Sequence, residues 1–564
     1  MIVAKHNVFH KAIMGCALIS LLASCSLSNA TTDDVISAIQ DAQASVATTQ
    51  ETQAKIQSLL PAGVSPYYLS TLSALYAANN MKPMWQDAQA VKEFEQQLGE
   101  AALAGFQPQF AEWIKQLNNP DVKDMARDII LSDAMLGYLQ YVNGVEANGK
   151  RWLYQKTPYK PEIPAAEVIA QWQVASKNGE KLNQFVASLA PQQADYAPMR
   201  KAMMAFLQDD TPWPMIKFKK TIRVGNAMSQ DDIVALQNIL NRTAEWSGNE
   251  LLKVTVDESG GKKYTKTLSA ALKEFQTIHG LANDGSLGKQ TVNWLNKLPQ
   301  ERAAIMALNM QRLRLLPVKY DTNIMVNIPA FSMTYYVNGT EALSSRVIVG
   351  RPERKTPLME NALTNVVINP PWNVPTKLIR EDIVPKLKRD PNYLKRQGYT
   401  VYSGWGRGSE VVDTSAIDWS EVSPKDVNFR FQQSPGGGNS LGRYKFNMPN
   451  SEAIYLHDTP NHRTFERSNR AMSSGCVRVN QSAQLASMLL NQVDGWDDGR
   501  IKNTLKGGRT THVNLNAQVP VQLYYMTAWV SNGRYPQFRN DIYYYDTIAA
   551  NSMKNLTQIK TLLR

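Results

Sequence analysis

The sequence predicts a multidomain α+β chain: a helical amino-terminal region, a small helical unit, and a mainly β body interrupted by an insertion. Three observations predict it. The chain has 564 residues, which at roughly 150 residues per domain gives about three or four units, each able to bury a core. Apolar residues recur at helical spacing through the first half. From residue 324 the pattern changes to short runs of branched and aromatic residues separated by turn signals.

The amino terminus comes first. Lys5 and Lys11 precede an apolar segment, Ala12 to Ala23, that is shorter than the roughly 20 residues of a membrane-spanning helix. Residues 1–30 therefore read as a secretory signal. Two processing sites compete: Leu22-Ala23-Ser24-Cys25 looks like a bacterial lipobox with Cys25 as the acylated residue, and Ser28-Asn29-Ala30 offers small residues for ordinary cleavage. An uncleaved anchor is the third reading. All three export the body, which places it in the periplasm, free or membrane-associated. The chain has three cysteines, Cys16, Cys25 and Cys476, so no disulfide framework holds the body together and Cys476 is the only thiol outside the targeting region.

Residues 31–60, rich in Ala, Thr, Gln and Ser, read as a linker or a loosely held helix. Residues 61–222 form the helical scaffold: Leu69, Leu72, Leu75 and Tyr76 recur at helical spacing, as do Ile130, Ala134, Met135 and Tyr138, and Met203, Met204, Phe206 and Leu207 add core. Trp85, Trp113, Trp152 and Trp172 read as core. Residues 223–297 form the small unit, with Ile233, Leu236 and Ile239 on one helix and Leu268, Leu272 and Phe275 on a second. A glycine-punctuated turn from Gly280 to Thr291 leads to a third, and Asp284 can cap that turn through its side chain.

Residues 298–323 connect back to the scaffold, and the β body runs over 324–516. Its expected strands are Ile324 to Ile328, Ser332 to Val337, Arg346 to Gly350, Asn365 to Ile368, Tyr444 to Phe446, Ala453 to Leu456 and Val513 to Leu515. Asn338-Gly339 is a hairpin turn signal. Residues 377–427 are charged and helix-capable, include Trp405 and Trp419, and read as an insertion over or beside the sheet. Residues 517–564 form a carboxy-terminal segment that packs on the scaffold.

One cluster concentrates the chemistry. His457 and Asp458 follow Ile454-Tyr455-Leu456, and the run Ser473-Ser474-Gly475-Cys476-Val477-Arg478-Val479-Asn480 comes later, with Cys476 19 residues after His457. A strand ending at His457 and a chain returning through Gly475 would bring ring and sulfur together. Covalent catalysis needs a thiolate, and an imidazole can take the thiol proton and return it to a leaving amine. Glycine before Cys476 permits close backbone approach, so the Gly475 and Cys476 amides could face an oxyanion.

These residues resemble the active-site segment of bacterial L,D-transpeptidases, a histidine followed after a loop by S-x-G-C-x-R. The likeness extends to the family's large multidomain periplasmic members through Asn309-Met310-Gln311-Arg312, Trp372-Asn373-Val374-Pro375, Gly436-Gly437-Gly438-Asn439 and Leu441 to Phe446, and through the tail from Thr527 to Tyr543. The run from Ala271 through Asp284-Gly285 to Thr291 resembles a three-helix peptidoglycan-binding module. The resemblance implies a mainly β L,D-transpeptidase catalytic domain, with 377–427 capping the donor-peptide cleft. Cys476 becomes the acyl-forming nucleophile, His457 its base, and the Asp458 backbone carbonyl the group orienting the ring. Arg478, Asn480, Ser474, Tyr455 and Trp372 become candidate substrate contacts; Ser474 stands where many members carry a second histidine. The implied reaction releases terminal D-alanine from a peptidoglycan stem and forms a 3-to-3 crosslink through a thioester, with carbapenems acylating Cys476.

Rival readings remain at this stage. The same thioester could be given to water, as in an L,D-carboxypeptidase, or to an envelope lipoprotein, or the chain could be a wall-binding scaffold without turnover. His462 could rival His457 as base, although it lies among Pro460, Asn461 and Arg463 and reads as a loop residue. No residues have zinc spacing, and the glycine run at 436–438 lacks the lysine and hydroxyl of a phosphate loop, so no metal or cofactor is expected. The formal charge of +12 favours an anionic partner, and the resemblance makes that partner the wall, its glycan and stem peptides, rather than nucleic acid.

Overall fold

The computed structural model describes residues 47–155, 157, 161–217, 219–255, 262–406, 408–531 and 535–563. The targeting signal, with Cys16 and Cys25, lies outside them. Among the described residues no helix is long and apolar enough to cross a membrane.

The chain divides into two units. The first takes in residues up to Val91, with Lys115–Gln140 and Pro161–Phe185. It contains the helix Leu69–Ala78, whose Leu72, Leu75 and Tyr76 are buried, and much of the long helix Asp124–Tyr154. Ile130, Ala134, Met135 and Tyr138 on that helix are all buried, as the spacing predicts. Buried beside them are two carboxylates that apolar periodicity does not flag. Asp128 accepts from the Met84 and Trp85 amides at 3.0 and 2.9 Å, and Asp133 from those of Tyr67 and Tyr68 at 2.8 and 2.7 Å. Loop amides with no ladder partner are satisfied this way, which offsets the cost of burying the acids.

The second unit holds everything from Val186 onward, with Lys92–Ile114 and Tyr141–Lys160. Its small helical part has Gln230–Ser247, capped by the Ser229 hydroxyl and closed by Gly248, then Lys266–Ile278 and Lys289–Leu295. Ile233, Leu236, Ile239, Leu268, Leu272 and Phe275 are buried between them. Asp284 Oδ1 accepts from the Ser286 amide at 2.8 Å and so caps the intervening turn.

Among the described residues the β body is one sheet of nine strands, β1 Asn323–Asn327, β2 Ser332–Val337, β3 Thr340–Gly350, β4 Met359–Ile368, β8 Tyr444–Asn447, β9 Leu456–His457, β10 Ala471–Ser473, β11 Val477–Val479 and β12 Thr511–Tyr524. Their order in the sheet is β10-β3-β11-β9-β8-β4-β12-β1-β2. A further pairing of β2 with β3 closes it into a barrel-like body. Asn338 and Gly339, at φ +50° and +77°, form the β2–β3 turn, the left-handed pair that a tight hairpin demands.

Two strands depart from expectation. Residues 453–455 are not strand, because Ala453 sits at φ +55° and only Leu456–His457 pairs. The strand expected at Val513 to Leu515 runs fourteen residues, Thr511–Tyr524. Its pairing with β4 shifts register between Asn514 and Val519, and Pro520 lies opposite Ala362. The expected boundary at 516 therefore falls inside a strand whose far half pairs in parallel with β1.

The insertion has its own core. Short helical turns pack with a three-stranded sheet, β5 Trp372–Asn373, β7 Arg430–Gln433 and β6 Tyr399–Tyr402, around Val374, Ile383, Leu387, Trp419 and Phe431. The tail, which includes the paired strands Ala528–Ser531 (β13) and Tyr535–Phe538 (β14), is tied to the helix Pro299–Arg312 on both sides of that pair. Asn309 Oδ1 accepts from the Thr527 amide at 2.9 Å, and Arg312 pairs with Asp546 at 2.6 Å. The tail also reaches residues of the helical region, where Gly105 leaves room only for the Ile548 carbonyl.

Candidate active site

The sheet brings the cluster together. β9 lies between β8 and β11, with His457 opposite Lys445 on one side and opposite Arg478 on the other. Directly paired residues project from the same face, so Lys445, His457 and Arg478 form a row across three strands. The Val477 amide donates to the Tyr455 carbonyl at 3.1 Å, which sets Cys476 beside Tyr455. The Tyr455 amide and hydroxyl favour the thiolate form of Cys476, and the thiol donates to the Ala453 carbonyl at 3.7 Å.

The turn into Cys476 is held from both sides. Gly475 has φ +123°, a conformation that L side chains rarely adopt. Its carbonyl accepts from Thr356 Oγ1 at 2.7 Å. Thr356 is held in turn: its amide donates to the Tyr543 hydroxyl at 3.0 Å, and that hydroxyl donates to the Gly350 carbonyl at 2.6 Å. In a trans peptide the N–H points opposite to the C=O, so fixing the Gly475 carbonyl also fixes the direction of the Cys476 N–H. The Gly475 amide, expected to face an oxyanion, donates instead to Ser473 Oγ at 3.1 Å. Ser473 passes its own proton to the Cys476 carbonyl at 2.6 Å. The Cys476 N–H has no such partner among the described residues.

His457 is buried, and its Nδ1–H donates to the Asp458 carbonyl at 2.5 Å. A carbonyl can only accept, so the proton is on Nδ1 and Nε2 keeps its lone pair. The Asp458 carboxylate is engaged elsewhere, accepting from the Arg443 amide at 2.8 Å and the Ser482 hydroxyl at 2.8 Å. Gly442, at φ +65°, makes room for it: a Cβ there would lie 2.3 Å from Asp458 Oδ2. Burial, then the Arg478 and Lys445 charges, push the His457 imidazole down to about 3 against the pull of the Asp458 carbonyl. Burial also pushes the Cys476 thiol up, outweighing Tyr455, Lys445 and Arg478. At rest the Cys476 thiol and the His457 imidazole are therefore both neutral.

Residues 321–494 match the family described as L,D-transpeptidase catalytic domain, residues 70–203 the "Scaffold domain", and residues 229–295 the "Putative peptidoglycan binding domain". A Haemophilus influenzae protein described as "Putative L,D-transpeptidase" is 34% identical over 476 residues, covering 84% of this chain and 78% of the relative. This chain belongs to the L,D-transpeptidase family. A crystal structure of an L,D-transpeptidase (residues 123–326) from Xylanimonas cellulosilytica aligns over 55% of this chain and all of that one at 12% identity. Its TM-score of 0.18 is too slight to add anything on the fold.

The insertion and the Cys476 segment are joined by the Arg354 side chain. Arg354 donates to Ser474 Oγ at 3.0 Å and pairs with Glu381 and Asp382 of the insertion, each at 2.5 Å. Trp372 interacts with the Tyr455 hydroxyl and packs on the insertion's core. Asn480 is turned away, its Oδ1 lying 3.3 Å from His462 Nδ1, and His462 is an exposed partner of Asp458 at 3.1 Å rather than a neighbour of the thiol. Lys445, Thr356 and Arg354 were not singled out by residue type. Lys445 lies in the run Leu441 to Phe446 that carries part of the family likeness, and only strand register places it opposite His457.

The charge state of the pair has a measurable consequence. Alkylation of Cys476 by iodoacetamide should keep rising with pH past about 8.5, the ordinary value for a free thiol. A plateau already reached near neutrality would show a preformed thiolate–imidazolium pair instead.

Proposed function

We propose that this chain is a peptidoglycan L,D-transpeptidase that forms 3-to-3 crosslinks through a thioester on Cys476. The sulfur attacks the carbonyl of the diamino acid at position three of a tetrapeptide stem while the Nε2 of His457 takes the thiol proton. The C–N bond to the terminal D-alanine breaks and His457 returns the proton to the departing amine. A side-chain amine of a second stem then attacks the thioester, gives up a proton to His457, and releases the thiol. The Cys476 N–H is the donor offered to the oxyanion in both tetrahedral intermediates. The observation that carries this reading is the pairing of β9 with β11, which sets the Cys476 turn beside Tyr455 and the buried His457.

The small module would hold glycan or stem peptides, the body would work in the periplasm, and a carbapenem would acylate the same sulfur. Arg478, Tyr455, Trp372 and Ser474 would line the donor cleft beneath the cap. Incubation of the full chain with disaccharide tetrapeptides tests the reading by mass spectrometry. A dimer lacking one D-alanine is the expected product. Tripeptide alone would mean that water or another acceptor takes the acyl group, and binding to sacculi without turnover would reduce the chain to a scaffold.

A closed cap limits water at the thioester, and the Arg354 contacts hold it. Arg354→Met should raise the donor KM and the ratio of tripeptide to dimer by roughly five- to tenfold, the scale of a few partly exposed charged contacts. An unchanged product ratio would show that Arg354 does not govern closure.

A further inference from the structure

Two cations flank His457 with no anion to balance them. Lys445 and Arg478 occupy paired positions on either side of the imidazole. The Lys445 ammonium stands 4.2 Å from the centre of the Tyr455 ring, and that ring meets the His457 ring edge-on at 5.6 Å. Among the described residues the Lys445 ammonium makes no ion pair and no side-chain hydrogen bond, and the Nε of Arg478 is buried without a partner. The acidic groups facing Lys445 and Arg478 reduce to the Cys476 thiol itself. The nearest carboxylate in sequence, Asp458, is committed to Arg443, Ser482 and His462.

Partly buried cations without a counter-charge are costly, and native structures normally pair them. A structural ion pair would need a carboxylate on β3, β4, β8, β9 or β11 facing this row. The residues flanking it in register are Ile348 and Val367, which supply none. A carboxylate of the substrate can supply the missing partner. Aromatic rings such as Tyr455 can hold an ammonium in place without neutralising it.

We propose that Lys445 is a specificity-determining residue of the donor site that binds a carboxylate of the incoming stem peptide, with Arg478 as the second cation across His457. The inference rests on the transpeptidase reading for the identity of the peptide. It explains how a site at rest with a weakly basic imidazole becomes active: a bound carboxylate offsets the two positive charges that disfavour imidazolium, so His457 gains basicity when the donor is seated. The covalent steps are unchanged; only the electrostatic completion of the site is assigned. Stem peptides carry this carboxylate at the terminal D-alanine and on the diamino acid, and the two are separated below.

The test uses the full chain, with Lys445→Met to remove the charge at similar volume and Lys445→Arg to keep it. In the first arm Cys476 is alkylated by iodoacetate, an anion, and by iodoacetamide, its neutral counterpart. The ratio of the two rates should fall about tenfold in Lys445→Met, the scale of one lost charge-assisted contact, and be retained in Lys445→Arg. An unchanged ratio in Lys445→Met overturns the proposal. The second arm compares tetrapeptide donors bearing either carboxylate or its amide. The wild type should lose about 10- to 100-fold in kcat/KM with one of the two amides, and Lys445→Met should not distinguish that amide from the acid. The amide whose penalty disappears identifies the carboxylate bound. Full acid preference in Lys445→Met would sink the inference while leaving the transpeptidase reading intact. An altered alkylation ratio without turnover of any donor would do the reverse.

Discussion

Replacing Cys476 by alanine should abolish both crosslink formation and release of D-alanine, by a factor on the order of 10⁴ or more, the usual result of removing a covalent nucleophile. The reason is local and does not involve the fold. Alanine deletes one sulfur from a partly exposed position and leaves in place the bonds that shape the turn. Thr356 still holds the Gly475 carbonyl, and Ser473 still bridges Gly475 and residue 476. Stability should therefore change by no more than about 1 kcal/mol, so a loss of activity reports chemistry. Cys476→Ser should be nearly as poor, because a hydroxyl ionises far less readily than a thiol and the neighbouring imidazole is already pushed down to about 3. Intact-protein mass spectrometry gives the second readout. The wild type should gain the mass of a carbapenem and the alanine variant should not. Equal adduct formation in the variant, or unchanged dimer yield, would remove Cys476 from the mechanism.

What could be read in the sequence was what short-range chemistry dictates. Asn338-Gly339 announces its hairpin because both positions need positive φ, and Cys476 with its glycine and upstream histidine announces a nucleophile. The row Lys445, His457, Arg478 was not legible, because it depends on the antiparallel register of β8 and the parallel register of β11 on one short strand. No spacing in the chain encodes that juxtaposition. The sequence shows only three of the fourteen residues of β12 as strand because Asn514, Asn516 and Gln518 are weak strand formers and Pro520 usually ends a strand, although they keep the alternation with Val513, Leu515, Val519 and Val521. Ala453 was read as strand although it takes a left-handed conformation, which residue type does not foretell for alanine. In Asn309 to Arg312 the sequence carried family likeness without a role. The structure gives those residues a mechanical one, as the joint between the tail and the helix Pro299–Arg312.

That joint supports the second large effect, a loss of about 3–5 kcal/mol of stability in Arg312→Met, the range found when one partner of a buried ion pair is removed. Arg312 has no exposed side-chain surface. It pairs with Asp546 at 2.6 Å, donates to the Leu153 carbonyl at 3.1 Å and the Tyr545 carbonyl at 3.1 Å, and lies 4.3 Å from the centre of the Tyr154 ring. Methionine can fill much of the volume but leaves the Asp546 carboxylate buried without its cation and two carbonyls without a donor. The cost should reach the site as well. Asp546 and Tyr543 belong to the same tail segment, and Tyr543 positions Thr356 behind Gly475. Undocking of the tail should therefore lower turnover at temperatures where circular dichroism still reports a folded sheet. Arg312→Met combined with Asp546→Leu separates pairing from packing. Removing both charges should restore most of the lost stability, since no unpaired carboxylate is left buried. A single variant whose denaturation midpoint matches the wild type would show that the tail is held without this pair. A double variant as unstable as the single one would assign the loss to the carbonyl contacts of Arg312 instead.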